Sequence, residues 1–129
     1  MNTIDAEQGS PEWLAARIGR VTASRMANVM AQGRSGAPSA TRAAYMGELA
    51  AEILTGVPTE GYTNADMQRG TELEPLARVA YETQTRQMVD SVGLVLHPRN
   101  ERWAASPDGI VGEDGLLELK CPKTHTHIA

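Results

Sequence analysis

The sequence predicts a mixed α/β fold (α+β in element order), in which N-terminal helices pack on a mixed sheet with a central antiparallel meander. Helical periodicity dominates up to about residue 85, a period of two follows it, and turn sequences separate the later segments. Runs of helices followed by runs of strands are typical of this class. A chain of 129 residues has the size of one domain, so we expect a single domain over residues 1–129.

The first two predicted helices are short and have recognisable ends. The segment SPEWLAARIG offers Ser10 as an N-cap, Pro11 at the first helical position and Gly19 as a stop signal. The segment TASRMANVMA offers Thr22 or Ser24 as the cap of a second helix.

The next two helices are longer. Between Ser39 and Leu54, apolar residues recur at i, i+3, i+4, i+7 and i+8, and Gly56 with Pro58 ends the pattern. A second helical pattern runs from about Asn64 to Thr85. Pro75 lies near its middle and predicts either a kink or a fresh helix start.

Three short segments rich in valine and leucine follow, and the turn sequences PRNE and GEDG separate them: MVDSVGLVLHP, RWAASPDGIVG and LLELKCP. We interpret them as consecutive antiparallel strands. In the last one, alternation sends Glu118 and Lys120 to one face and their leucine and cysteine neighbours to the other.

The GEDG hairpin can bring Asp108 alongside Glu118. Two converging carboxylates repel each other unless a cation lies between them, and Mg²⁺ takes oxygen ligands of this kind. A lysine such as Lys120 beside that ion can orient or deprotonate a water, or stabilise charge on a phosphate. An ordinary solvated hairpin with surface charges is the alternative that the spacing leaves open.

Composition and charge limit the function classes. The net charge of −4 argues against a protein that coats nucleic acid non-specifically, although residues 10–47 carry five arginines against Glu12 alone. No apolar stretch has the length of a membrane span, and the N-terminus has no secretory pattern. The single cysteine, Cys121, fits a reducing compartment and a small buried side chain. We therefore expect a cytoplasmic protein with no membrane partner.

The sequence also carries a family resemblance. Pro107-Asp108 followed by Glu118-Leu119-Lys120 resembles the PD-(D/E)xK nuclease superfamily. More narrowly, the chain resembles the phage lambda-type exonucleases, also called YqaJ-like viral recombinase nucleases. Four blocks in the same order carry that likeness: WLAARIGRVTAS, LTGV, RGTELEPLAR and ASPDGIVGEDGLLELKCPKT. The resemblance implies a restriction-endonuclease-like core.

The resemblance also implies roles for individual residues. Asp108 and Glu118 would be metal-binding carboxylates, the Leu119 carbonyl a further ligand, and Lys120 the catalytic lysine. Glu74 matches the helix-borne acid of the metal site, and its alternative is a surface glutamate.

Recognition of a DNA 5'-phosphate would fall to Arg17, Ser24 and Ser106. A guanidinium suits a phosphate dianion because it binds in a bidentate manner. For Ser24 a helix cap remains an alternative, and for Ser106 a strand-end hydroxyl does.

The implied activity is that of a Mg²⁺- or Mn²⁺-dependent 5'-3' exodeoxyribonuclease, which degrades linear duplex DNA to 5'-mononucleotides in phage-type recombination. A ring-shaped homotrimer, a single-strand annealing partner and a phage or prophage origin in a bacterial cell are further implications. Because family members continue well beyond the motif and this sequence has nine residues after Lys120, we expect a nuclease domain that is incomplete at its C-terminal end. A PD-(D/E)xK endonuclease and a non-catalytic module that binds DNA ends or a partner are the alternatives.

Overall fold

A computed structural model describes residues 1–59, 61 and 63–129 of the chain. The chain forms two compact units. Unit 1 comprises Met1–Glu60 and Val92–Pro107, and unit 2 comprises Gly61–Ser91 and Asp108–Ala129. In the described part of the chain, no helix combines the length and the apolar character that a membrane crossing needs.

Unit 1 combines helices with a sheet. The predicted N-cap at Ser10 is confirmed, because its Oγ accepts a hydrogen bond from the Trp13 N–H (3.2 Å). Ser39 caps the next long helix in the same way, since its Oγ accepts one from the Arg42 N–H (3.0 Å). The predicted stop at Gly56 is also confirmed, with a left-handed φ of 67°. The elements are β1 (Asn2–Ile4), α1 (Pro11–Arg17), β2 (Val21–Thr22), α2 (Met26–Met30), α3 (Ala40–Thr55), β3 (Leu94–His97) and β4 (Asn100–Ala105), with 3-10 turns at Ala23–Arg25 and Arg34–Gly36.

The strands of unit 1 form one mixed sheet in the order β1-β3-β4-β2. The β1–β3 and β3–β4 pairs are antiparallel, and β2 runs parallel to β4. One face of the sheet carries the buried side chains of Leu94, Leu96 and Ala104, against which Ile4 and Ala16 pack. Ala104 of this small core pairs with Thr22 of β2. The predicted site residues Ser24 and Ser106 follow the ends of β2 and β4.

Unit 2 contains α4 (Ala65–Thr85), the hairpin of β5 (Gly109–Val111) and β6 (Gly115–Leu117), and α5 (Thr124–Ile128). The side chain of Asn64 caps α4 by accepting from the Met67 N–H (2.9 Å). The helix continues through Pro75, so the predicted fresh start there is wrong.

The predicted three-strand meander is wrong in two respects. The segment RWAASPDGIVG forms two strands, β4 in the four-stranded sheet and β5 in a separate two-stranded one. Pro107 has no N–H with which to continue a strand ladder, which explains the break. The last predicted strand also ends early, at Leu117. Beyond that point the Leu119 N–H donates to the Asp108 side chain instead of to a strand partner.

The start of α2 also differs from the prediction. A 3-10 turn precedes it, and neither the Thr22 nor the Ser24 hydroxyl caps a helix. These hydroxyls instead lie 3.3 Å apart in a hydrogen bond with each other. The strands β1 and β2 were not predicted, because segments of three and two residues are too short to show an alternating pattern.

Candidate functional site

In unit 2, Asp108 is held beside the segment that follows β6. Its backbone N–H donates to the Leu117 carbonyl (2.9 Å), and its Oδ2 accepts a hydrogen bond from the Leu119 N–H. Both bonds cross the hairpin, so the side chain of Asp108 is tied to the backbone next to Glu118. The predicted pairing of Asp108 with this segment is confirmed.

Close packing at the start of β5 fixes the position of Asp108. A Cβ atom on Gly109 would lie 2.2 Å from Val89 Cγ1 and 3.2 Å from the Asp90 carbonyl oxygen. Asp90 and Ile110 exchange two backbone hydrogen bonds of 2.8 Å. Only glycine allows this close approach, which anchors the residue directly after Asp108.

Alternation continues past the end of β6. Glu118 and Lys120 are exposed, whereas Leu117, Leu119 and Cys121 are partly buried. The Lys120 ammonium donates a hydrogen bond to Glu118 Oε1. This bond raises the pKa of Lys120. Because 78% of the lysine side chain and 56% of the glutamate side chain are exposed, the pair contributes little to stability.

Glu74 lies on α4 within electrostatic reach of the two other acids. Burial raises the pKa of Glu74, and the negative charge of Asp108 raises it further. Arg78 opposes the shift, and Glu118 adds a smaller contribution in the raising direction. Glu74 therefore lies close enough to Asp108 and Glu118 for their charges to affect its pKa.

Two polar contacts tie α4 to the chain after Lys120. Arg69 Nη1 donates to the Cys121 carbonyl (2.9 Å), and Lys123 Nζ lies 2.9 Å from Asp66 Oδ2. No pattern in the sequence indicated these contacts, because the partners are more than 50 residues apart. The partly buried Arg69 contact positions the helix that carries Glu74 relative to the motif segment, whereas the Lys123–Asp66 pair is exposed and contributes little.

A third contact of α4 uses Arg78. Its guanidinium donates to the Val89 carbonyl and to Ser91 Oγ (3.1 Å), and it lies 3.8 Å from Glu82. Val89 in turn donates its N–H to Glu82 Oε1 (2.9 Å). Arg78 therefore holds the segment against which Gly109 packs.

The oxygen atoms around Asp108 are of the kind that binds a hard divalent cation. Among the described residues, no hydrogen bond or ion pair engages Asp108 Oδ1 or Glu118 Oε2, and the Leu119 carbonyl accepts none. Carboxylate and carbonyl oxygens are the ligands that Mg²⁺ takes. No group of three or more His, Cys, Asp or Glu side chains in the described ranges converges as a ready metal cage. The ligand set with Glu74 therefore stays a prediction.

In unit 1, Arg17 lies over the ring of Trp13, with its Cζ atom 4.1 Å from the ring centroid. None of the ion pairs or side-chain hydrogen bonds among the described residues involves its guanidinium. Burial lowers the pKa of Arg17, and the nearby Tyr45 and Glu52 act in the opposite direction. A half-buried guanidinium with unengaged donors is suited to receive an anion.

Trp13 also contacts Ser106. Its Nε1–H lies between two acceptors, the Gly93 carbonyl (3.0 Å) and Ser106 Oγ (3.2 Å). A Cβ atom on Gly93 would lie 2.2 Å from the Ala6 carbonyl oxygen, so only glycine fits there. Trp13 thus joins two predicted phosphate-binding residues. Its place in the WLAARIGRVTAS block was the only signal in the sequence.

Ser24 is joined to neither Arg17 nor Ser106 by a hydrogen bond among the described residues. The parallel register nevertheless relates the two serines, because Thr22 pairs with Ala104 and each serine lies two residues beyond its member of that pair. Both hydroxyls therefore follow the carboxyl ends of neighbouring parallel strands. Ser24 is exposed and Ser106 partly buried.

The chain is similar to a known family and to solved structures. The family model described as the YqaJ-like viral recombinase domain matches residues 12–129. An alkaline exonuclease from Laribacter hongkongensis, LHK-Exo, is 51% identical, with a TM-score of 0.77, over 92% of this chain and 57% of that chain. The structure of LHK-Exo in complex with dAMP is 52% identical, with the same TM-score and the same coverage. The comparison with curated proteins gave no match.

The likeness to these solved exonucleases confirms the predicted mixed α/β, restriction-endonuclease-like fold class. The chain spans 57% of the length of the two exonuclease chains. The family match covers nearly all of the sequence and includes the four motif blocks. The chain therefore belongs to the YqaJ-like viral recombinase family.

Proposed function

We propose that this protein is a metal-dependent deoxyribonuclease that degrades linear duplex DNA from 5'-phosphorylated ends. The observation that carries the proposal is the fixed position of Asp108 against the Glu118–Lys120 segment. Membership of a viral recombinase family and the likeness to an alkaline exonuclease support a nuclease that acts in phage-type recombination.

The acids of unit 2 would hold Mg²⁺ or Mn²⁺. Asp108 and Glu118 would each supply one carboxylate oxygen, Leu119 its carbonyl, and Glu74 a further carboxylate. When bound, such an ion supplies Lewis-acid polarisation of the scissile phosphate and lowers the pKa of a water. Burial is the main cause that raises the pKa of Glu74, and the charge of Asp108 raises it further. A cation would offset that repulsion, which supports this assignment.

Lys120 would orient the attacking water and stabilise charge on the phosphate. Its ammonium already acts as a donor, to Glu118 Oε1, and its side chain is largely exposed. A long, exposed lysine can reach a substrate oxygen or a water while one N–H stays on Glu118, since an ammonium has three donors. Glu118 Oε1 would thus hold Lys120 in place.

Arg17 would bind the terminal 5'-phosphate, with Ser106 and Ser24 as hydroxyl donors. The support is the half-buried guanidinium of Arg17, which makes no ion pair with any described carboxylate. The complex of LHK-Exo with dAMP is consistent with a nucleotide phosphate as ligand in this family.

The two lysines of the chain allow a matched test, because Lys123 pairs with Asp66 outside the proposed centre. We expect the Lys120→Ala variant to lose digestion of 5'-phosphorylated linear duplex by about 100-fold or more, and Lys123→Ala to retain it. Release of acid-soluble nucleotides with Mg²⁺ and with EDTA measures the effect. Undiminished digestion by the Lys120→Ala variant would contradict the proposed mechanism.

The same assay separates the alternatives. Cleavage of closed circular plasmid at the rate of linear DNA would instead indicate an endonuclease. No digestion, together with no change of melting temperature on adding Mg²⁺ or Mn²⁺, would indicate a non-catalytic module, because a ligand that binds the native state stabilises it. A homotrimer and a single-strand annealing partner are parts of the proposal that light scattering and co-purification with such a protein would check.

A further inference from the structure

Unit 1 contains an open cleft whose lining includes none of the residues assigned above. It is lined by the turn after α1 (residues 18–20) and by the end of the β3–β4 turn with the first residues of β4 (residues 99–102), and its volume is about 550 Å³. Three arginines, Arg20, Arg99 and Arg102, face a single carboxylate, that of Glu101. Glu101 Oε1 already accepts a hydrogen bond from Asn2 Nδ2 (3.0 Å). The cleft therefore has a net positive charge in a chain whose net charge is −4.

The two turns are held in place. Gly19 has a φ of 67°, donates its N–H to Glu52 Oε2 (2.8 Å), and could not carry a Cβ because Ile53 Cγ1 lies 2.5 Å from that position. Local hydrogen bonds stabilise the segment from His97 to Arg102, since the Arg99 N–H donates to His97 Nδ1 (3.2 Å) and the Arg102 N–H to Asn100 Oδ1 (3.1 Å). These contacts give the cleft a defined shape within unit 1.

Arg20 joins the two turns. Its Nε donates to the Glu101 carbonyl (2.8 Å) and its Nη1 to the Ala16 carbonyl. These bonds leave other N–H groups of its fork for a ligand. None of the ion pairs among the described residues involves Arg20, Arg99 or Arg102, whereas Arg25 of the same unit pairs with Glu48 at 3.0 Å. In the described part of the chain, no carboxylate forms an ion pair that offsets the positive charge of the cleft.

We propose that this cleft binds a phosphodiester group of the duplex DNA backbone, at a site separate from the Arg17 site for the terminal phosphate. Guanidinium groups match phosphate oxygens in geometry and remain charged at any working pH. An open, polar cleft suits a group presented by a long polyanion better than an enclosed small molecule. The choice of DNA rests on the proposed function; the preference for a phosphodiester does not.

The test measures DNA binding without cleavage. A 5'-hydroxyl duplex of about 20 base pairs, long enough to span several phosphates beyond the end, is titrated in EDTA at several salt concentrations. Neither the metal nor the terminal phosphate then contributes. We expect the Arg99→Ala/Arg102→Ala double variant to bind roughly tenfold more weakly at low salt. The slope of log affinity against log salt should fall in magnitude by about 1 for each phosphate that the variant no longer neutralises.

A matched double variant controls for net charge. Arg42→Ala with Arg86→Asn removes two positive charges outside the cleft, and Asn suits the left-handed φ of 58° at residue 86. Affinity and slope close to the wild type are expected for it. An equal loss in both double variants, an unchanged slope in the cleft variant, or a loss confined to single-stranded DNA would each overturn the inference. Failure of the wild type to digest linear duplex with Mg²⁺ would be a failure of the proposed function, which this assay does not measure.

Discussion

The two units of the chain hold their candidate functional side chains by different means. In unit 1, Arg17 lies against an indole ring, and buried apolar residues support the sheet from which Ser106 extends. In unit 2, two hydrogen bonds with backbone groups hold Asp108. Glu74 lies on a helix that a hydrogen bond from Arg69 to the Cys121 carbonyl holds in place. Among the described residues, the buried apolar side chains are Tyr45, Leu94, Leu96 and Ala104 in unit 1 and Val89 in unit 2.

This difference follows the division between the residues proposed to bind the terminal phosphate and those proposed to bind the metal. A site for a fixed anion benefits from a rigid, packed support, because its geometry is set before the ligand arrives. Carboxylates of a metal site repel one another when no cation is bound. The segments that carry them must therefore stay folded in spite of that repulsion. Core substitutions should therefore affect stability mainly through unit 1, and charge substitutions should affect metal response through unit 2.

The largest expected effect concerns the core of unit 1. Leu94 is fully buried, and Leu94→Ala should lower the free energy of unfolding by about 3 kcal/mol, since it removes apolar burial and leaves a cavity. Urea denaturation measures the loss. Leu116→Ala in unit 2 is the control, because that side chain is 53% exposed and its truncation should change stability by less than about 0.5 kcal/mol. Equal losses would contradict the contrast between the units.

A smaller effect is expected at Trp13. Trp13→Phe keeps an aromatic ring under Arg17 but removes the Nε1–H shared by Gly93 and Ser106. We expect the preference for 5'-phosphorylated over 5'-hydroxyl ends, measured as the ratio of kcat/KM values, to fall about tenfold, which corresponds to one hydrogen bond of roughly 1.4 kcal/mol. The rate on 5'-hydroxyl ends should stay the same.

Trp103→Phe is the matched control for that change. Trp103 is 46% exposed and meets His97 edge-on at a centroid distance of 5.5 Å. Its indole makes no hydrogen bond to a candidate site residue in the described part of the chain, so end preference should be retained. A drop of the same size in this control would remove Trp13 from the recognition site.

The smallest expected effect concerns Glu74. Its pKa is raised in the folded chain, so the ionised carboxylate destabilises the native state at pH values above its ordinary pKa. Without metal at about pH 8, Glu74→Gln should therefore raise the melting temperature slightly, by no more than about 2 °C. The gain should vanish as the pH falls below about 4, where the wild-type side chain is protonated in both states.

With Mg²⁺, the difference in melting temperature between the wild type and the Glu74→Gln variant should change in favour of the wild type. The wild type should gain more in melting temperature on adding Mg²⁺ than the Glu74→Gln variant, because the variant lacks one proposed ligand. Glu72→Gln, an exposed change on the same helix, is the control and should respond as the wild type does. An equal response of the Glu74→Gln variant would exclude Glu74 from the metal site.

Local features of the sequence determined much of this protein. The cap at Ser10 and the stop at Gly56 depend on residues within one helical turn, so the sequence predicts them. The caps that the structure shows at Ser39 and Asn64 are equally local. The hairpin beside Asp108 and the alternation through Glu118 and Lys120 are equally local. The motif blocks added the residue types of the proposed nuclease centre.

Only the tertiary structure decided which distant residues meet. The parallel pairing of β2 with β4, which relates Ser24 to Ser106, joins segments that are far apart in the sequence. The indole of Trp13 reaches Ser106 across 93 positions, and Arg69 reaches Cys121 across 52. Such contacts depend on how the whole chain packs, and no periodicity within a single segment encodes them. The sequence alone therefore determined the main helices, the hairpin beside Asp108 and the residue types of the candidate centre, and the fold decided which side chains support it.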